Sequence, residues 1–172
     1  MIDFADLLLG KRIAIVGNAK SLFDKNYGAE IDGHDVVIRF NKGFITKPES
    51  QGTKTDILIL AIEMPEADID KFNAKYVFNR CTLRKNKTRA CWHFSLDDRK
   101  RLQKLLGAKP STGMLAIDLC TMYSPVVDLY GFDWEETPTF YNPADYKTVH
   151  NYAKEKETVL EKYAFGDLRI RK

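Results

Sequence analysis

The chain has 172 residues, 44% of them hydrophobic and 30% charged, with a formal net charge of +3. That length makes one domain with a sizeable core. So small a basic excess gives no ground for a nucleic-acid partner, and no apolar run approaches the roughly 20 residues that cross a bilayer.

Residues 7–9 (LLL) predict a short first helix stopped at Gly10. No basic stretch precedes them and no small-residue cleavage site follows, so this opening does not read as a signal peptide. Residues 13–17 (IAIVG) form a continuous apolar run ending in glycine, the pattern of a buried parallel strand, and residues 18–22 turn into a helix. Further strands are predicted over residues 35–41 (DVVIRFN), 56–62 (DILILAI), 76–79 (YVFN) and 91–94, with a short helix near residues 66–72. Ser95 heads a capping box whose hydroxyl can take the Asp98 backbone N–H and open a helix running to Gly107. Residues 111–123 are helical in pattern, residues 126–132 (VVDLYGF) form another strand, and a last long helix is expected over about residues 145–163.

Strands alternate with helices throughout. The expected fold is therefore α/β: a single Rossmann-like domain spanning residues 1–172, with a mostly parallel sheet covered by helices on both faces. In such sheets ligands bind outside the carboxyl ends of the strands. That places Gly17-Asn18, Phe40-Asn41 and Gly131-Phe132-Asp133 on one rim.

Cys81, Cys91 and Cys120 are odd in number and fit no zinc spacing. They read as buried free thiols, which suits a reducing, cytoplasmic compartment. Basic residues gather at Arg80, Arg84, Lys85, Lys87 and Arg89, and again at Arg169, Arg171 and Lys172. They read as a solvated loop and a solvated tail, or as attraction to an anionic substrate or a membrane surface in peripheral association.

Two turns carry candidate chemistry. GNAKS (residues 17–21) joins a strand to a helix and can present backbone N–H groups to an anion, but it has neither Walker nor G-x-G-x-x-G spacing. An ordinary strand-to-helix turn fits it as well. In PSTG (residues 110–113), Ser111 and Thr112 favour a helix start and Gly113 permits close approach of a ligand. His150, five residues before Glu155, has the side chain best suited to proton transfer near neutrality. His34 and His93 have no partner at metal-ligand spacing and read as structural.

With these residues assembled, the chain resembles the sialyltransferases of glycosyltransferase family 29. The family's large motif is matched by residues 13–43 (IAIVGNAKSLFDKNYGAEIDGHDVVIRFNKG), continued by GTKT at residues 52–55. Its small motif is matched by PSTGMLAIDLC and VVDLYGFD within residues 110–133, and its very small motif, H-x-x-x-x-E, by His150 and Glu155. The resemblance implies a GT-A-like variant fold and transfer of sialic acid, or a related sugar acid, from a CMP-sugar donor to a glycan acceptor. It implies that Gly17, Asn18 and Asn41 contact the CMP portion, that Ser111, Thr112 and Gly113 line the donor pocket, and that Gly131 faces them. His150 would be the general base and Glu155 would support the helix presenting it. The family's third motif is weakest: Phe140-Tyr141 is the nearest match and lacks the histidine, leaving Tyr141 or Tyr146 to stabilise the leaving phosphate.

The animal enzymes join the large and small motifs by a disulfide, and the corresponding positions here are Ile13 and Ser124. That loss, with no anchor or stem in this sequence, points to a bacterial or viral source. No metal or cofactor is expected, because a departing CMP carries less charge than a nucleoside diphosphate and helix N-termini can stabilise it. There is no D-x-D, and Asp97-Asp98 belongs to the capping box. No obligate protein partner is expected. The alternatives are a CMP-Kdo-type transferase of the same fold and a catalytically silent nucleotide- or sugar-binding module.

Overall fold

Seven strands define the fold: β1 (Arg12–Val16), β2 (Val36–Phe40), β3 (Ile57–Leu60), β4 (Tyr76–Asn79), β5 (Cys91–His93), β6 (Val126–Tyr130) and β7 (Leu168–Arg171). They come from a computed structural model that describes residues 3–79, 91–134, 136–141, 149–163 and 168–171. The strands form one sheet in the order β5-β4-β3-β2-β1-β6-β7, and every neighbouring pair is parallel. The sheet is thus wholly parallel where the sequence predicted mostly parallel.

The helices are α1 (Phe4–Leu8), α2 (Gly28–Asp32), α3 (Pro48–Gln51), α4 (Glu66–Asp70), α5 (Leu96–Leu106), α6 (Thr112–Tyr123) and α7 (Tyr152–Thr158). Alternation along β1 shows why both faces are covered. Ile13 and Ile15 pack with Phe4, Leu8, Leu102 and Leu115 from α1, α5 and α6. Ala14 and Val16 point the other way, onto Leu22 and Ile31. Each such Ile or Leu contributes about 1.5–3 kcal/mol relative to an exposed one. Ser95 caps α5 by accepting the Asp98 N–H at 3.0 Å, and Gly107 ends it in the left-handed region at φ 65°, as the sequence implied.

Four features depart from the sequence reading. The turn after β1 is a 3₁₀ segment (Lys20–Asp24), and α2 and α3 are additional short helices. The last helix is α7 alone, continued by a π-helical turn over Val159–Tyr163, with residues 142–148 outside the described set. Most consequentially, the basic tail is not a solvated coil: Leu168–Arg171 form the edge strand β7, on which Arg169 stays exposed and Arg171 partly so. Leu168 and Ile170 pack against the core. Arg169 and Arg171 reach the fully buried Asp128 on β6, with Arg169 Nε and Arg171 Nε donating at 2.8 and 2.9 Å.

His34, read as structural, lies between two hydrogen-bond partners, with Nε2 2.9 Å from Asp128 Oδ2 and Nδ1 2.9 Å from the Glu30 carbonyl. Burial raises the Asp128 carboxyl, but the hydrogen bonds from Arg169 and His34 outweigh it and hold the group below the usual carboxylate range. On β2, Arg39 is buried, and its guanidinium donates to the Gln51 and Lys54 carbonyls and to Thr55 Oγ1. Burial pulls it down to about 10 against the pull of Asp32. This arginine fastens the 51–55 segment to the sheet.

Cys120 is a free, buried thiol whose burial pushes its pKa up. Cys81 and the cluster from Arg80 to Arg89 lie outside the described residues, as does the Cys91 side chain. Ser124 Oγ donates to the Lys11 carbonyl at 2.5 Å, so a hydrogen bond joins the chain entering β1 to the end of α6. Among the described residues no helix is long and apolar enough to cross a membrane.

Candidate active site

The strand order reverses direction around β1, which lies between β2 and β6. The crevice beyond the carboxyl ends of these strands is where parallel α/β sheets bind ligands, and the predicted residues converge there. A Cβ at Gly17 would run into the Gly131 carbonyl oxygen and sit 3.0 Å from the Phe132 ring. Gly131 itself has φ 66°, a backbone shape that glycine adopts without strain. On the far side of Phe132, a Cβ at Gly113 would lie 2.8 Å from the ring. One aromatic ring therefore seats on two glycines from different predicted motifs.

The two asparagines tie strand ends together. Asn18 Nδ2 donates to the Phe40 carbonyl at 3.2 Å. Asn41 takes a left-handed φ of 48°, which asparagine tolerates better than most residues, and its Oδ1 accepts the Ala61 N–H at 2.7 Å. The loop after β6 runs back along the β1 turn. Phe140 N–H donates to the Asn18 carbonyl at 3.0 Å, and half-exposed Tyr141 stacks edge-on against Phe140.

Asp133 locks this loop, accepting from Ser21 Oγ at 2.8 Å and Thr137 Oγ1 at 2.5 Å. The sequence reading placed Asp133 on the rim without assigning it this role. Phe132, Trp134 and Asp133 border a cavity of about 220 Å³ that also takes in Ser21, Tyr27 and Gly131. Tyr146 is outside the described residues.

The 109–111 turn is held from two sides. Glu155 is almost fully buried on α7; its Oε1 accepts the Ser111 N–H and its Oε2 the Ser111 hydroxyl, both at 2.7 Å. Ser111 Oγ in turn accepts the Met114 N–H at 3.0 Å as the N-cap of α6. Glu155 therefore anchors α6 and its turn, where the resemblance implied support of the histidine's own helix. At the start of α6, Thr112 and Gly113 have N–H groups with no intrahelical acceptor, directed as an anion site requires.

His150 Nδ1 lies 2.7 Å from the Lys109 carbonyl. A carbonyl only accepts, so Nδ1 carries the proton, and in the neutral ring Nε2 is the basic nitrogen. The ring also meets Tyr152 edge-on, with centroids 5.7 Å apart. Lys109 was not singled out from the sequence, where only its place beside the PSTG segment hinted at it, and Phe132 was placed on the rim without a role. Among the described residues, no three His, Cys, Asp or Glu side chains gather as a metal site.

The sequence model of glycosyltransferase family 29 (sialyltransferase) matches residues 10–106, more than half of the chain. The chain belongs to this family. The match takes in the large motif, while the PSTG turn and His150 lie beyond it. Curated relatives agree over short stretches. The human CMP-N-acetylneuraminate-beta-galactosamide-alpha-2,3-sialyltransferase 1 is 48% identical over 46 residues, covering 26% of this chain and 14% of the relative. The mouse Type 2 lactosamine alpha-2,3-sialyltransferase is 34% identical over 74 residues, covering 42% and 22%. These matches thus span less than a quarter of either relative's length.

Solved structures agree over nearly the whole fold. A mammalian sialyltransferase superposes with a TM-score of 0.71 at 20% identity, covering 95% of this chain and 69% of that one. The sialyltransferase CstII from Campylobacter jejuni, solved in complex with cytidine-5'-monophosphate, gives 0.63 at 13% identity, covering 94% and 80%. The sheet and its helices share the fold of these sialyltransferases.

Proposed function

We propose that this family 29 chain transfers sialic acid, or a related sugar acid, from a CMP-sugar to a glycan hydroxyl, with inversion and without a metal. The observation that carries the reading is the turn at residues 109–111, tied to His150 and Glu155 and followed by Gly113, which meets the Phe132 ring seated on Gly17 of the large motif. His150 Nε2 takes the proton of the acceptor hydroxyl. The acceptor oxygen attacks the anomeric carbon from the face opposite the phosphate, the carbon–oxygen bond to phosphate breaks, and CMP leaves with the electron pair. The Thr112 and Gly113 N–H groups at the positive end of α6 receive that phosphate, with Tyr141 as a further donor. The nucleoside lies against Gly17, Asn18, Asn41 and Gly131.

The buried Cys120 thiol suits a reducing compartment, and we place the protein in the cytoplasm. The test of function is release of CMP from CMP-sialic acid with chelator present, beside thermal shifts with nucleotides. CMP should raise the melting temperature well above the effect of UMP, because a ligand confined to the native state stabilises it by mass action. Equal shifts, or no CMP release, would contradict the reading. Release from CMP-Kdo alone would reassign the donor, and CMP binding without any release would mark a silent module.

A further inference from the structure

A second cavity, of about 180 Å³, lies beside the proposed base and is lined by Ala61, Arg99, Lys100, Gln103, Lys109 and Pro110, with Leu96 at its edge. Three of its residues are cations and none is a carboxylate. In the larger cavity, by contrast, carboxylates share the lining and two of the three cations are paired, Lys156 with Glu136 and Arg171 with Glu30 and Asp128. Arg99, Lys100 and Lys109 have no ion pair among the described residues. The nearby acid on α5, Asp98, is committed to Ser95 Oγ at 2.6 Å and to Arg101.

Arg99 Nε is buried and has no hydrogen-bond partner among the described residues. Buried donors are nearly always satisfied, so a guanidinium that lines a cation-rich cavity and carries an unpartnered nitrogen has donor capacity left for an anionic oxygen. Arg99 and Gln103, four apart on α5, share one helix face. Two backbone contacts fix where the cavity stands. Ala61 N–H bonds Asn41 on one side, and the Lys109 carbonyl holds His150 on the other.

We infer that this cavity binds an anionic group, a carboxylate or an ester sulfate, on the glycan acceptor, making the enzyme selective for acidic acceptors. The inference rests on the transferase reading for the word acceptor, but the binding it describes can be measured without turnover. An anion seated against Arg99 and Lys100 holds the acceptor beside His150. Charge-assisted hydrogen bonds to a carboxylate or sulfate are the strong ones, and a guanidinium offers them in pairs.

The test is calorimetric binding of 3′-sialyllactose, 3′-sulfated lactose and lactose to the full chain saturated with CMP. Three proteins are compared: the parent, Arg99→Gln with Lys100→Gln, and the single charge reversal Lys100→Glu. Lys100 is exposed, so the reversal at that position spares the core should the double variant fold poorly. The parent should bind the acidic glycans about ten- to a hundredfold more tightly than lactose. The variants should lose that preference while keeping parental CMP affinity. Equal binding of the sialylated and sulfated glycans means that charge alone is read, and preference for the first means that the carboxylate is.

No preference in the parent, or one that survives in both variants, would overturn the inference. A fall in CMP affinity as large as the fall in glycan affinity would also overturn it, by assigning the cavity to the donor. Failure to release CMP from CMP-sialic acid would sink the transferase reading and leave the glycan preference as measured.

Discussion

The Glu155 carboxylate takes both the backbone N–H and the hydroxyl of Ser111, each at 2.7 Å, across 44 residues of sequence. The pair joins α7 to the start of α6 and, through the neighbouring Lys109 carbonyl, sets the His150 ring. Glu155→Ala would strand two part-buried donors, each costing at most about 1–3 kcal/mol. The melting temperature should fall, and transfer should fall with it as the 109–111 turn loosens. Glu155→Gln, which keeps the shape and one acceptor, should fall between Ala and the parent in both measurements. A Glu155→Ala variant with parental stability would show that the carboxylate bears no part of the turn.

The glycines of the rim give a graded expectation. At Gly17 an added Cβ meets backbone, the Gly131 carbonyl, which cannot step aside. At Gly113 it meets the Phe132 ring at 2.8 Å, and a side chain can shift. Overpacking typically costs about 1–3 kcal/mol. Gly17→Ala should sit at or above the top of that range and abolish CMP binding, whereas Gly113→Ala should fold and bind CMP more weakly. Thermal melts and calorimetry with CMP decide the order, and the reverse order would contradict the packing described.

Acid stability should depend on Asp128. Its folded pKa lies below the unfolded value, so its contribution is present above the unfolded carboxylate pKa, about 3.9, and is lost as pH falls through the lower folded value. Asp128→Asn removes the partner of Arg169, Arg171 and His34 together. Removing one member of a buried pair costs about 3–5 kcal/mol. Arg169 and Arg171 keep solvent contact here, so the lower end applies. The variant should be less stable at neutral pH, and its stability should change less between pH 5 and pH 3 than the parent's does. Parallel pH dependence in urea melts of both proteins would contradict this assignment.

The long apolar strands were legible because both-faces burial writes itself as continuous runs, and β1, β2, β3 and β6 lie within a residue or two of their predicted ends. β7 was missed although its L-R-I-R alternation is a period of two. The charges argued for solvent, and their partners are distant in sequence: Asp128 lies 41 residues from Arg169 and 43 from Arg171, and Glu30 also pairs with Arg171. The 3₁₀ turn and the five-residue α2 are too short to leave a periodic signal.

For the site, the glycines, asparagines and Ser111 stood out because turns and caps demand those residue types. Lys109 did not, and Phe132 and Asp133 were placed on the rim without a role. A ring seated on two glycines, a carboxylate locking a loop, and a backbone carbonyl orienting an imidazole are long-range relations with no local spelling.

The account turns on His150, and its most direct test is the rate of sialic acid transfer for parent and His150→Ala, at saturating donor, across pH. Removal of a general base costs about 10²–10⁴-fold. We expect a loss in that range in the variant with CMP affinity nearly unchanged. In the parent the rate should fall on the acid side through one ionisation, as the ring nitrogen that must accept the proton becomes occupied. A variant that keeps more than about a tenth of parental transfer, well outside that range, or that retains the parent's acid limb, would assign the base to another residue.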